Sequence, residues 1–210
     1  MKKIPSKLAA DFYNKIIKQH HQEFNYKQIL YKNWLDLLIS KINKGDKILD
    51  LGCGNGRAVK YLVDRGFQGA GVDVSDKMLE LARRHIPKGI FYKQDFVKIK
   101  FKPNSFNAVI SFFALNHIPK SQFKKVIKIC RKIMKNNGFL LLGMVKGKDE
   151  GFFEGFYGKN LSLYGAGYSK KEIVNILDGN GYSIIKAETG RFKGKHFEED
   201  DIYILAKVKK

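Results

Sequence analysis

The spacing of hydrophobic positions changes several times along the chain. Leu35, Leu38, Ile39 and Ile42 recur at helical spacing beside Trp34, so the first forty-odd residues read as helical, up to the punctuating "NKGD" at 43–46. At Lys47 the period changes. "KILDL" is a short buried-strand run that leads into glycines. Ala58, Val59, Tyr61, Leu62 and Val63 then recur at helical spacing, with Gly66 as the stop. The alternation repeats. "QGAGVDV" (68–74) reads as a strand, and Ser75 caps a helix to about Arg84 that buries Met78, Leu79, Leu81 and Ala82. "IFYKQD" (90–95) and "FNAVISFF" (106–113) are strands. The helix after Pro119 puts Phe123, Val126, Ile127, Cys130, Ile133 and Met134 on one stripe, and "GFLLLGMV" (138–145) follows as a strand. The stretch to about Tyr168 reads as irregular. "SKKE" (169–172) is a capping box opening a helix that stops near Gly179–Gly181. "YSIIKAE" and "DIYILAKV" have no helix between them, which predicts an antiparallel hairpin on one edge of a sheet.

Strands alternating with helices predict an α/β fold, a doubly wound, mainly parallel seven-stranded sheet with one antiparallel edge strand and N-terminal helices. At 210 residues the chain fits a single domain. Within it, residues 1–44 read as a helical lid, 45–145 as a ligand-binding core and 146–210 as a second lid with the last strands. Cys53 and Cys130 are too few for a disulfide framework. No apolar run reaches the roughly 18–20 residues that span a bilayer. "MKKIPSKLAADFYNK" is basic without an apolar signal core, so a cytoplasmic location is expected, with no membrane partner. The net charge of +20 favours an anionic partner such as nucleic acid. The lysines are dispersed, however, and Ile, Asn, Phe and Tyr are enriched with them, as an AT-rich genome would dictate. Charge alone does not choose the partner.

The chemistry concentrates where strands end. Gly52, Gly54 and Gly56 alternate after the first strand, with Asp50 two residues ahead of them. A dinucleotide turn would space its glycines G-x-G-x-x-G. Asp73 ends the second strand, where a carboxylate can accept from both hydroxyls of a ribose. Asp95 ends the third, followed by Phe96, a pair suited to an adenine amino group and base face. Adjacent parallel strands gather these ends at one edge, so the turn, Asp73 and Asp95 converge on a nucleoside-shaped site. No phosphate-loop lysine is present. His20, His21, His85 and His196 show no metal spacing, and no metal is expected.

With these residues in view, the chain resembles the class I S-adenosylmethionine-dependent methyltransferases. "ILDLGCGNGRAV", "GVDVSDKMLELAR", "KQDF", "FNAVISFFALNHI" and "GFLLLGMV" match that family's motifs in order, from about Lys41 to Val145. The resemblance implies S-adenosylmethionine as cofactor and S-adenosylhomocysteine as product. It implies that Gly52 and Gly54 approach the methionine part and that Asp50 anchors the turn or reaches the cofactor amine. Asp73 would take the ribose, with Val74 beside the adenine held by Asp95 and Phe96. Phe112 would offer a carbonyl near the amine. Cys53, between two glycines, reads as a small packing residue of the cofactor turn rather than a reactive thiol.

Methyl transfer from a sulfonium is an in-line displacement that needs positioning more than a base. His117, just past the fourth strand, is the candidate base if one is used, or else a turn residue. "SFFALNHI" differs from the [DNS]PPY of adenine and glutamine N-methylating enzymes. The aromatic and glycine-rich segment 151–168 reads as a substrate lid with Tyr157 and Tyr164, opposite an N-terminal wall carrying Tyr13, Tyr26 and Tyr31. Tyr13, Tyr157 and Tyr164 are the candidate acceptor contacts. A small-molecule acceptor is the leading expectation. The alternatives are an RNA or other macromolecular acceptor on the basic surface, or a non-catalytic cofactor-binding regulator.

Overall fold

The apolar runs sort into one large sheet because both of its faces are covered. A computed structural model describes residues 4–24, 31–155, 161–193 and 198–209. The chain forms α1 (Pro5–Glu23), α2 (Lys32–Ile39), β1 (Lys47–Leu51), α3 (Arg57–Val63), β2 (Gln68–Asp73), α4 (Asp76–His85), β3 (Ile90–Lys93) and β4 (Phe106–Phe112). After a 3-10 turn at Leu115–His117 come α5 (Lys120–Ile133), β5 (Met134–Val145), β6 (Glu150–Phe153), β7 (Leu163–Ala166), α6 (Lys170–Asp178), β8 (Tyr182–Lys193) and β9 (Glu198–Val208).

Seven strands lie in the order β3-β2-β1-β4-β5-β9-β8. β3, β2, β1, β4 and β5 are parallel, while β9 pairs antiparallel with both β5 and β8. The expected terminal hairpin is therefore present at that edge. The strand that runs against the rest is β9, and the outermost β8 runs with the others. The side-chain period of two splits each strand between two cores. Leu49, Leu51, Val109, Leu140 and Leu142 face α5 and α6. Ile48, Ala108, Ile110, Leu141 and Leu205 face α2 and α3. Covering both faces is why the strands read as continuous apolar runs.

The caps follow their local signals. Ser75 Oγ accepts the Met78 N–H, and Ser169 and Glu172 form a reciprocal capping box. Gly66, at φ 86°, closes α3 with N–H bonds from Gly66 to the Val63 carbonyl and from Phe67 to the Leu62 carbonyl. Two local expectations change. Met134 leaves the helix stripe, because its backbone pairs with Phe106 as the first residue of β5. Part of the stretch expected to be irregular instead forms a separate two-stranded antiparallel ribbon, β6 against β7, with Phe152 opposite Tyr164.

Candidate active site

The carboxyl ends of the parallel strands open onto a cavity of about 690 Å³, covered by α1 and by the β6–β7 ribbon. Its floor is the glycine turn after β1. A Cβ at Gly52 (φ 72°) would overlap the Ala114 methyl, so only glycine fits there. Gly54 (φ 51°) has nothing within 4 Å of its Cβ position, so its backbone is open to a ligand. Asp73, at the end of β2, ties this turn in place. Its Oδ2 accepts the Gly54 N–H at 2.8 Å and its Oδ1 the Ser75 N–H at 2.8 Å. Each carboxylate oxygen has two acceptor directions, so Asp73 can hold the turn and still accept from a ligand. Burial raises its carboxyl above the usual range, opposed by those backbone donors.

Asp50 is buried in β1, and burial pushes its carboxyl up to about 8, with the neighbouring Asp73 adding to the effect. Cys53 packs its sulfur on β2. A Cβ at Gly71 would come within 2.6 Å of Sγ. Burial holds that thiol well above its ordinary range, with Asp73 and Asp50 contributing, so it stays protonated. Beyond β3, Asp95 Oδ1 accepts the Val97 N–H at 3.0 Å, while Phe96 is buried beside the glycine turn. Val74 packs with Phe12 and Ile16 of α1. Phe112 ends β4 stacked on Tyr31, with ring centroids 3.6 Å apart and planes within 9°.

His117 sits where α1 crosses the 3-10 turn. Its Nδ1 lies 2.9 Å from the Tyr164 carbonyl, which can only accept, so Nδ1 carries the proton. Nε2 then accepts from the Tyr13 hydroxyl at 2.9 Å. Burial lowers the His117 pKa, opposed by the bond to the Tyr164 carbonyl, so the ring is neutral at pH 7.

The structure thus brings Asp50, Gly52, Cys53, Gly54, Asp73, Val74, Asp95, Phe96, Phe112, Tyr13 and His117 to one cavity. Tyr164 is the exception. Its hydroxyl donates to Glu150 Oε1 at 2.5 Å and its ring meets Phe152 edge-on, so its side chain serves the ribbon and only its carbonyl serves the site. Tyr157 and Tyr26 lie outside the described residues. Among the described residues no cluster of His, Cys, Asp and Glu is arranged to hold a metal ion, and no helix is long and apolar enough to cross a membrane.

Sequence reasoning missed several polar residues around the site. Asn14 does not line the cavity but holds α1 over it: its Oδ1 accepts from Ser75 Oγ at 2.8 Å and from the Lys77 N–H at 3.1 Å. Arg57 lines the cavity, buried, with its guanidinium 5.6 Å from the Phe24 ring centroid and 5.8 Å from that of Tyr31. His20 and Asn55 line it too, the latter donating to the Phe24 carbonyl at 3.0 Å. The one available signal was the place of Arg57, directly after Gly56, where an amphipathic helix starts.

Residues 48–138 match a family model described as a methyltransferase domain. The chain is 32% identical over 116 residues to the ubiquinone biosynthesis O-methyltransferase of Dechloromonas aromatica, covering 52% of this chain and 48% of that protein. The chain spans about half the length of the curated relatives it matches. Among solved structures it is similar to the magnesium protoporphyrin IX methyltransferase of Synechocystis PCC 6803 with bound S-adenosylmethionine. That match has a TM-score of 0.75 and 18% identity, and covers 99% of this chain and 98% of that one. It is also similar to the Burkholderia thailandensis 1,6-didemethyltoxoflavin-N1-methyltransferase bound to 1,6-didemethyltoxoflavin and S-adenosylhomocysteine. Here the TM-score is 0.72 and the identity 12%, over 100% of this chain and 92% of that one. At such identities these two structures report the fold.

Proposed function

We propose that this chain, whose residues 48–138 match a methyltransferase-domain model, is a class I S-adenosylmethionine-dependent methyltransferase that methylates a small-molecule acceptor held in the covered cavity. The observation that carries the proposal is the cavity itself. One continuous space joins the open backbone at Gly54, the acceptor oxygens of Asp73 and Asp95, and the neutral His117–Tyr13 pair. Its size lies in the range of small-ligand sites. The residues present fit the cofactor: Asp73 would accept from a ribose, Asp95 and Phe96 would hold an adenine, and Asp50 would accept from an ammonium. Bound there, S-adenosylmethionine supplies an activated methyl group on sulfur.

The residues around it position, desolvate and move a proton. Phe113, Ile118, Phe153 and Leu163 give the acceptor end apolar walls. The Tyr13 oxygen donates its own proton to His117 Nε2, which leaves its lone pairs to receive a proton from an acceptor hydroxyl or amine. As that proton arrives, the phenol proton passes to Nε2, and the Tyr164 carbonyl on Nδ1 steadies the resulting imidazolium. The printed name of one relative, a ubiquinone biosynthesis O-methyltransferase, supports a small-molecule acceptor. A second reading, an RNA acceptor, rests on the outer face of α5, where Lys124, Lys125, Lys128, Arg131 and Lys132 are exposed, continued by the exposed Lys135 at the start of β5.

Incubating the protein with methyl-labelled cofactor and a fractionated cell extract tests the choice. Label is expected in the small-molecule fraction and lost with Tyr13→Phe. Label in RNA selects the second reading, and cofactor binding with no label in any fraction makes the chain a regulator.

A further inference from the structure

The β6–β7 ribbon stands apart from the main sheet, yet its second strand supplies the carbonyl that fixes the His117 proton. Successive residues of a strand turn their backbone groups to opposite edges, so Tyr164 and Ala166 present carbonyls on the same edge of β7. Two adjacent residues of the 3-10 turn take these carbonyls. His117 Nδ1 bonds the first at 2.9 Å, and Asn116 Nδ2 donates to the second at 2.6 Å. The Asn116 amide is buried, and its partners set its orientation. The Ala166 carbonyl can only accept, so the amide nitrogen faces it. The Val145 N–H can only donate, and Oδ1 accepts it at 3.1 Å. Nδ2 also reaches the Val145 carbonyl at 3.4 Å. One side chain thus joins the turn that carries His117, the end of β5 and the ribbon. Glu150 fastens the ribbon at a separate point, where its Oε1 accepts from the Lys120 N–H at 2.8 Å and the Tyr164 hydroxyl at 2.5 Å.

We propose that Asn116 is the positioning residue of the His117–Tyr13 relay: by setting the register between the turn and β7, it keeps the Tyr164 carbonyl on Nδ1 and leaves Nε2 free to accept. This deepens the function proposed above and rests on it. A neutral imidazole carries one ring proton, and its hydrogen-bond partners choose which nitrogen holds it. Without the carbonyl, the proton can move to Nε2. That nitrogen then donates to the Tyr13 oxygen and can no longer take the phenol proton. Both amide hydrogens of Asn116 are committed to backbone carbonyls, so it acts through His117 rather than on the acceptor. Phe153 and Leu163 of the same ribbon wall the acceptor end. Enclosure and proton acceptance are therefore coupled: the relay can take a proton only while the ribbon covers the acceptor.

Nitrogen NMR of the histidine side chains, with S-adenosylhomocysteine added, tests this, because it reads the tautomer without the acceptor. The wild-type His117 ring is expected to carry its proton on Nδ1. Asn116→Ala is expected to lower the ratio of that tautomer to the other by about tenfold or more. Asn116→Asp keeps the shape of the side chain. Its protonated carboxyl can donate to the Ala166 carbonyl as the amide does, while its ionised form repels that carbonyl. In that variant the Nδ1–H fraction is expected to fall as pH rises, and in wild type to stay constant from about pH 6 to 8. Glu150→Ala loosens the ribbon elsewhere and is expected to hold the ratio within about twofold of wild type. A shift in Glu150→Ala as large as in Asn116→Ala would make ribbon stability in general the cause and overturn the proposal. So would a wild-type ratio in Asn116→Ala, or, where that variant does not fold, a ratio in Asn116→Asp that ignores pH. A wild-type ring protonated on Nε2 overturns the relay and the role of Asn116 together.

Discussion

At the scale of single residues, the site pairs groups whose protonation is set by burial. Asp50 is raised to about 8 first by burial and then by Asp73, so it is largely protonated at pH 7 in the free protein. A ligand ammonium beside it favours the carboxylate. Cofactor binding near pH 7 is therefore expected to release a proton, and affinity to rise as pH approaches about 8. Calorimetry in buffers of different ionisation enthalpy should show this release in wild type and lose it in Asp50→Asn. The free fold should also lose stability as pH rises from the ordinary carboxylate range toward 8, since only the folded state holds that proton. Asp73, Asp95 and the packing role of Cys53 were legible in sequence, because strand ends and a glycine turn announce where side chains converge. The bond between Tyr13 and His117 was not, since it joins residues 104 positions apart. Nor was the burial of Arg57, which depends on aromatic partners from before β1.

At the scale of elements, Asn14 ties α1 over the cavity to the start of α4. Its Oδ1 accepts two donors at the start of α4. Asn14→Ala should cost about 1 kcal/mol of local stability, speeding amide exchange in α1 roughly fivefold. Amides of β1 and β4 should exchange as before, and equal acceleration throughout would mean that α1 opens only with the whole fold. Legibility again tracks distance along the chain. The capping box at Ser169 and Glu172 was readable because its determinants lie three residues apart. The β6–β7 ribbon was not. Phe152 and Phe153 are both exposed, so β6 lacks the alternation that marks a half-buried strand.

At the scale of the molecule, a net charge of +20 and six exposed cations, five on α5 and Lys135 just beyond it, predict weak, sequence-independent binding of single-stranded nucleic acid. Six phosphate contacts give a log–log salt slope of about −4. Anisotropy titrations of a labelled oligonucleotide across KCl concentrations should show that slope, flattened by combining Lys124→Glu, Lys128→Glu and Lys132→Glu. An unchanged slope in that variant would move the contact elsewhere. The sheet class was legible because apolar runs alternate with helical patterns, and the terminal hairpin because the last two runs have no helix between them. The inner place of β9 was not, because pairing partners at the end of a sheet are chosen by packing rather than by pattern. That placement also orders events during synthesis. Leu140, Leu141 and Leu142 of β5 are wholly buried in the finished sheet, yet the far edge of β5 has no partner until residues 198–208 exist. The five parallel strands are made first, so the nascent protein carries an open apolar edge through the making of β6, β7, α6 and β8. A ribosome-associated chaperone would find its target in that interval, and β9 ends it.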